Sequence, residues 1–128
     1  MQPSDILSLV ISIIALATSL FVAYKQIILA KHSNSFPVTI DMFREFRSLE
    51  FKQHLYYVLF KFPSINEPDK GIHGLQEETR NHVLEVCHFF DNLGVMVANK
   101  AVDEKLIISF LGGTALKTWE VLYPYIKA

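Results

Sequence analysis

Cysteine is almost missing from this chain: Cys87 stands alone among 128 residues, so no internal disulfide can form and the composition suits a reducing compartment. A surplus of one charge is missing too. Lys and Arg number 12 against 13 Asp and Glu, for a net charge of -1, and nothing in that balance predicts nucleic-acid binding. The nucleotide, hydrolase and zinc-protease signatures are equally missing, since no G-x-x-x-x-G-K-[ST], G-x-G-x-x-G, G-x-S-x-G or H-E-x-x-H occurs. The 5 histidines do not fall at zinc-ligand spacing with the single cysteine. No sustained period-two alternation and no internal repeat stand out, which points to an all-α fold.

Charge is also locally missing, and that absence is informative. The 19 residues from Ile6 to Tyr24 contain no ionisable group except the Tyr24 phenol, and at about 1.5 Å per residue they span about 28 Å, the thickness of a bilayer's hydrocarbon core. Lys25 can snorkel, which extends the apolar helix through "QIILA" to Ala30. Pro3, Ser4 and Asp5 make a good helix start. A signal peptide would need a basic leader and a small-residue cleavage site, whereas "MQPSD" is acidic and no such site follows. A buried core helix would need a polar face that this segment lacks. The reading is one transmembrane helix within an anchor at residues 1–31, a short polar connector at 32–37, and a helical bundle at 38–128.

No Lys or Arg precedes the span, while Lys25, Lys31, Arg44, Arg47 and Lys52 follow it. The positive-inside rule then places the N-terminus outside and the C-terminal bundle in the cytoplasm. Within the span Ser8, Ser12, Ala15, Ser19 and Ala23 recur at steps of 4, 3, 4 and 4, along one helix face. Small side chains there let a second helix approach, so the stripe is a candidate homo-oligomer seam. The alternative is that these hydroxyls bond back to their own helix.

Past the connector, Pro37 is placed to begin a helix on which Ile40, Phe43 and Phe46 share a face. Ser48 offers a new cap, and the next helix, about 49–62, carries Phe51, Leu55, Val58 and Phe62 before Pro63 stops it. "PSINEPDKGIHG" reads as the loop and as the most mobile segment. Residues 76–100 form the central helix, with Thr79, Val83, Val86, Phe90, Leu93 and Val97 as its packing seam and Gly94 beside it to admit a close neighbour. Asp103 caps a short helix bearing Leu106, Ile107, Phe110 and Leu111, and Gly112-Gly113 reads as its stop. A last helix, 114–126, is expected to bury Ala115, Trp119, Leu122 and Ile126.

The run "EVCHFFDNLGVMVANKAVDEKLIISFLGG" with "WEVLYPYI" after it and "EFRSLEF" before it resembles an uncharacterised bacterial family of short, N-terminally membrane-anchored helical proteins, catalogued as a domain of unknown function. In that family an N-terminal span precedes a helix ending in an aromatic-aromatic-acid-x-x-Gly element, matched here by Phe89, Phe90, Asp91 and Gly94, and then a capped short helix and a Trp-bearing final helix, matched by Asp103 and Trp119. The resemblance implies a bacterial inner-membrane protein and supplies no catalytic residues.

Chemistry-bearing residues are sparse. Glu85 and His88 form an E-x-x-H pair of the kind used in di-iron bundles, but such sites need a second pair and further carboxylates, and Glu50 with His54 is the nearest match. His88 and Asp91, three apart, are positioned for a local hydrogen bond and a pH response, with an idle surface pair as the alternative. Cys87 reads as a small buried hydrophobe. Arg44, Arg47 and Lys52 are interleaved with Asp41, Glu45 and Glu50, a mixed patch best read as a solvated face. The expectation is a non-enzymatic, membrane-anchored interaction or scaffold module, without metal or cofactor, whose partners are the lipid bilayer, further copies of itself and an unknown cytosolic protein. An oligomeric membrane-disrupting effector or small channel, of the kind used in bacterial stress and anti-phage defence, is the alternative, and a metal-binding bundle enzyme a distant third.

Overall fold

The computed structural model describes every residue except Met1 and Asn66, and all its regular structure among the described residues is helical. Four α-helices, α1 (Pro3–Arg47), α2 (Leu49–Tyr56), α3 (Glu77–Ala98) and α4 (Glu104–Lys127), are joined by short turns. The chain divides into two compact units, Met1–Asn34 and Ser35–Ala128.

The first unit is a single stretch of α1. Pro3 occupies its first turn, where the missing N–H costs nothing, and the Asp5 carboxylate accepts from the Gln2 N–H at 3.0 Å, half of a capping box. Its large apolar side chains from Ile6 to Leu29 are exposed. The helix is long and apolar enough to cross a membrane, with 0% of its most apolar 18-residue window buried. The expected connector at 32–37 is helical instead, and Pro37 lies inside α1. A proline there deprives the Ser33 carbonyl of its partner, but Ser33 is exposed and water can replace the bond.

The second unit holds the core, with residues 35–47 of α1 forming its first helix. Thr39 and Met42 are the buried positions there, with Val38, Phe43 and Phe46 packed partly against the core and Ile40 exposed. Of the expected face Ile40, Phe43 and Phe46, the last two pack against the core, and the buried side is turned from Ile40 toward Thr39 and Met42. The reason is polar: the buried Thr39 hydroxyl donates to the Ser35 carbonyl at 2.8 Å and accepts the Asp103 N–H at 2.9 Å, which ties α1 to the start of α4.

Ser48 caps α2, its hydroxyl accepting from the Phe51 N–H at 3.2 Å. Phe51, Val58 and Phe62 are buried and Leu55 half-buried, as the spacing predicts. The helix changes character on the way to Pro63, through a π turn (Tyr57–Lys61) and a 3-10 turn (Phe62–Ser64). Pro63 cannot donate, and its ring would crowd the Leu59 carbonyl in an α-register, so the last turn widens and Phe62 N–H bonds to the Tyr57 carbonyl. The loop that follows is built of two more 3-10 turns, Pro68–Lys70 and Ile72–Gly74. It is tied to α4 where the Glu67 N–H donates to the Tyr125 hydroxyl at 2.9 Å. Asn66, within the loop expectation, lies outside the described residues.

On α3 the buried positions are Thr79, Val83, Val86, Phe89 and Leu93, with Phe90 and Val97 half-buried. Phe89 takes the place expected for Phe90 because it closes an aromatic cluster with Phe51 (centroids 4.4 Å apart) and Phe46 (5.9 Å). Gly94 admits no close neighbour: nothing lies within 4 Å of where a Cβ would be.

The largest departure is α4. Gly112-Gly113 does not stop it, and the two expected helices are one, continuous past Pro124 as well. Asp103 caps it, accepting from the Leu106 N–H at 3.1 Å. Ile107, Leu111, Thr118, Leu122 and Tyr125 lie on one buried stripe that crosses the glycine pair, and burying such side chains on both sides outweighs roughly 1 kcal/mol of helix propensity lost per glycine. Trp119, Phe110 and Ile126, expected inside, are 51%, 63% and 46% exposed.

Candidate functional site

The face of α4 that carries Trp119 does not point into empty solvent at random: it forms one wall of an open apolar groove in the second unit, about 790 Å³ in volume. Leu84, Cys87, Asp91 and Gly94 lie along α3 at steps of 3, 4 and 3, one continuous strip that His88 widens beside Cys87. Ala115, Trp119, Leu122 and Ile126 supply the α4 wall, and Phe90, Leu93 and Ile107 line it further. Gly94 adds backbone but no side chain to the α3 wall.

Polar groups interrupt this lining at His88 and Asp91, both exposed, and at the buried Thr118, whose hydroxyl donates to the Thr114 carbonyl at 2.8 Å. Burial first, and the Asp91 carboxylate second, push the Cys87 thiol up from its ordinary value of 9.0. It therefore stays a neutral thiol at physiological pH, the opposite of what a nucleophile or metal ligand needs. The groove can hold apolar surface.

Of the residues singled out in the sequence, His88 and Asp91 reach the groove, whereas Glu85 is exposed outside its lining. Among the described residues no group of three or more His, Cys, Asp or Glu side chains could hold a metal ion. The Arg44 guanidinium pairs with Asp41 at 3.0 Å, both largely exposed, a contact of little energetic weight. In the first unit Ser8, Ser12, Ala15, Ser19 and Ala23 are all exposed on α1. The Ser12 hydroxyl donates to the Ser8 carbonyl at 2.8 Å, and Thr18 does the same to Ile14 at 2.8 Å. Back-bonding leaves the hydroxyl's lone pairs as acceptors for a neighbouring helix.

One cluster escaped the sequence reading. His54 on α2 and His82 on α3 bring their Nδ1 atoms within 2.8 Å, and the Tyr57 ring stacks on His82 at 4.1 Å and 12°. The signal was His82 itself, a histidine between the seam positions Thr79 and Val83, but its partner lies 28 residues away and no local pattern joins them.

No curated protein and no solved structure matches the chain. A family model does match, over residues 12–128, which takes in most of α1 and the whole of the second unit with its groove; the chain belongs to the family described as a domain of unknown function (DUF4760).

Proposed function

We propose that this protein is a non-enzymatic, membrane-anchored interaction module that associates with further copies of itself through α1, while its helical bundle offers the α3–α4 groove to a cytosolic protein. The observation that carries the reading is the exposure of the apolar side chains of α1 from Ile6 to Leu29. An all-round apolar helix of this length is stable only when hydrocarbon or other protein covers it. The Lys and Arg residues that follow the run favour an N-terminus outside and the bundle in the cytoplasm, in a bacterial inner membrane. The neutral thiol at Cys87 and the apolar groove support recognition over catalysis.

The test is the mass of the full chain in lipid nanodiscs, compared with the variant Ser12→Leu plus Ser19→Leu. A defined oligomer for the wild type and a monomer for the variant are expected, because bulky side chains on the stripe keep backbones apart. A monomeric wild type would sink self-association, and full extraction of the wild type by alkaline carbonate would sink the anchor. Leakage of ions from liposomes carrying the oligomer would move the reading from scaffold to channel.

A further inference from the structure

The histidines that join α2 to α3 are arranged for proton sharing. Their Nδ1 atoms are 2.8 Å apart and their ring centroids 4.9 Å apart, a difference close to the sum of the two centroid-to-nitrogen spacings, so each nitrogen points almost directly at the other. Chelation would instead need both lone pairs to converge on a third point, about 2.0–2.1 Å from each nitrogen. A single hydrogen fits this gap. One ring donates through Nδ1–H, and the other, in its Nε2–H tautomer, accepts.

The surroundings hold both rings in place. Tyr57 stacks on His82, and its hydroxyl is fixed by the buried Thr79 hydroxyl at 2.7 Å. Tyr57 opens the π turn Tyr57–Lys61, a kind of distortion found often at functional positions. The charged groups that face His82 are His54 from α2, Lys61 from the π turn, with its Nζ 5.9 Å from the Tyr57 ring centroid, and Glu78 from α3 itself. Burial of the ring opposes a positive charge most strongly, His54 and Lys61 add to that opposition, and Glu78 works against it. The His82 pKa is lowered from its ordinary 6.5 as a result.

We propose that His54 and His82 form an acid-sensitive clasp between α2 and α3, closed while one hydrogen is shared between their Nδ1 atoms and open once both Nδ1 atoms carry a proton. A first added proton binds Nε2 of the donor ring and leaves the clasp closed, since the imidazolium Nδ1–H still donates to its neutral partner. A second must bind the accepting Nδ1. Two N–H groups and two positive charges then face each other at contact distance, and the packing of Leu49–Lys61 on α3 loosens. Both rings are half-buried, so protons reach them without unfolding.

Amide hydrogen exchange of the full chain in nanodiscs, corrected for intrinsic rates, tests this at about pH 7.5 and about pH 5. In the wild type, protection of Leu49–Lys61 is expected to fall about tenfold or more relative to α4 at the lower pH. The fall is expected to vanish in His54→Gln and to persist in His88→Gln. Unchanged wild-type protection, or the same fall in His54→Gln, would overturn the clasp. Should His54→Gln fail to fold, the imidazole nitrogen shifts of the wild type decide: one protonated and one bare Nδ1 at neutral pH support the clasp, and two independently averaging rings refute it.

Discussion

Lys100 carries an unusual backbone for a side chain of its kind, with φ at 56°. It sits just past α3, where the Lys100 N–H bonds to the Val97 carbonyl at 3.1 Å and the Ala101 N–H to Met96 at 2.9 Å, the two bonds of a Schellman close. A left-handed L-residue costs about 1–2 kcal/mol that glycine avoids, and part of that gain is returned by glycine's freer unfolded chain. Because Lys100 is exposed, Lys100→Gly is expected to stabilise the protein by about 0.5–1 kcal/mol, read as a higher urea midpoint at constant slope. A lower midpoint would show that the lysine side chain contributes more than its backbone costs. Single residues differ in how far sequence reveals them. Ser48 and Asp103 were legible as caps because each accepts from a backbone three residues on. The left-handed turn at Lys100 was not, because the glycine that marks such a position is absent there.

At the scale of the element, the sequence reading erred where glycine or proline stands inside a helix that tertiary packing sustains. Gly112-Gly113 read as a stop and Pro37 as a start, yet α4 and α1 run through them. Propensity is a local quantity, while the stripe Ile107, Leu111, Thr118, Leu122 and Tyr125 is completed only by contact with other elements. By contrast α3 was legible almost whole, since its three-four rhythm contains neither residue type except Gly94. A Cβ at Gly113 meets nothing within 4 Å, so Gly113→Ala is expected to raise stability by about 0.5–1 kcal/mol in chemical denaturation. A loss of stability would mean that residue 113 breaks the helix after all, as the glycine pair by itself implies. The groove belongs to the same lesson: His88, Asp91 and Gly94 drew attention one by one, but the space they line depends on how far α3 and α4 stand apart, and no periodicity within either helix records that distance.

For the whole molecule, two half-buried titratable groups set opposite limits on stability. The folded state lowers the His82 pKa from 6.5, chiefly by burial and then by His54, so below that value the unfolded chain binds more protons than the folded one. The His82 contribution is therefore complete above pH 6.5 and is lost as pH falls through the folded value. Cys87 has the opposite sign. Burial, then Asp91, raise its pKa from 9.0, so its contribution is complete below pH 9.0 and is lost as pH rises through the folded value. Thermal unfolding of the full chain in detergent is expected to trace a plateau between these limits, with a decline on each side. The two declines should separate by substitution: Cys87→Ala flattens the alkaline limb and leaves the acid limb, while His54→Gln, which removes a neighbouring positive charge, brings the His82 pKa back toward 6.5 and shrinks the acid limb. An acid limb that His54→Gln leaves in place would assign the acid response to the carboxylates as a whole, and the contact between α2 and α3 would then be only one more part of the core.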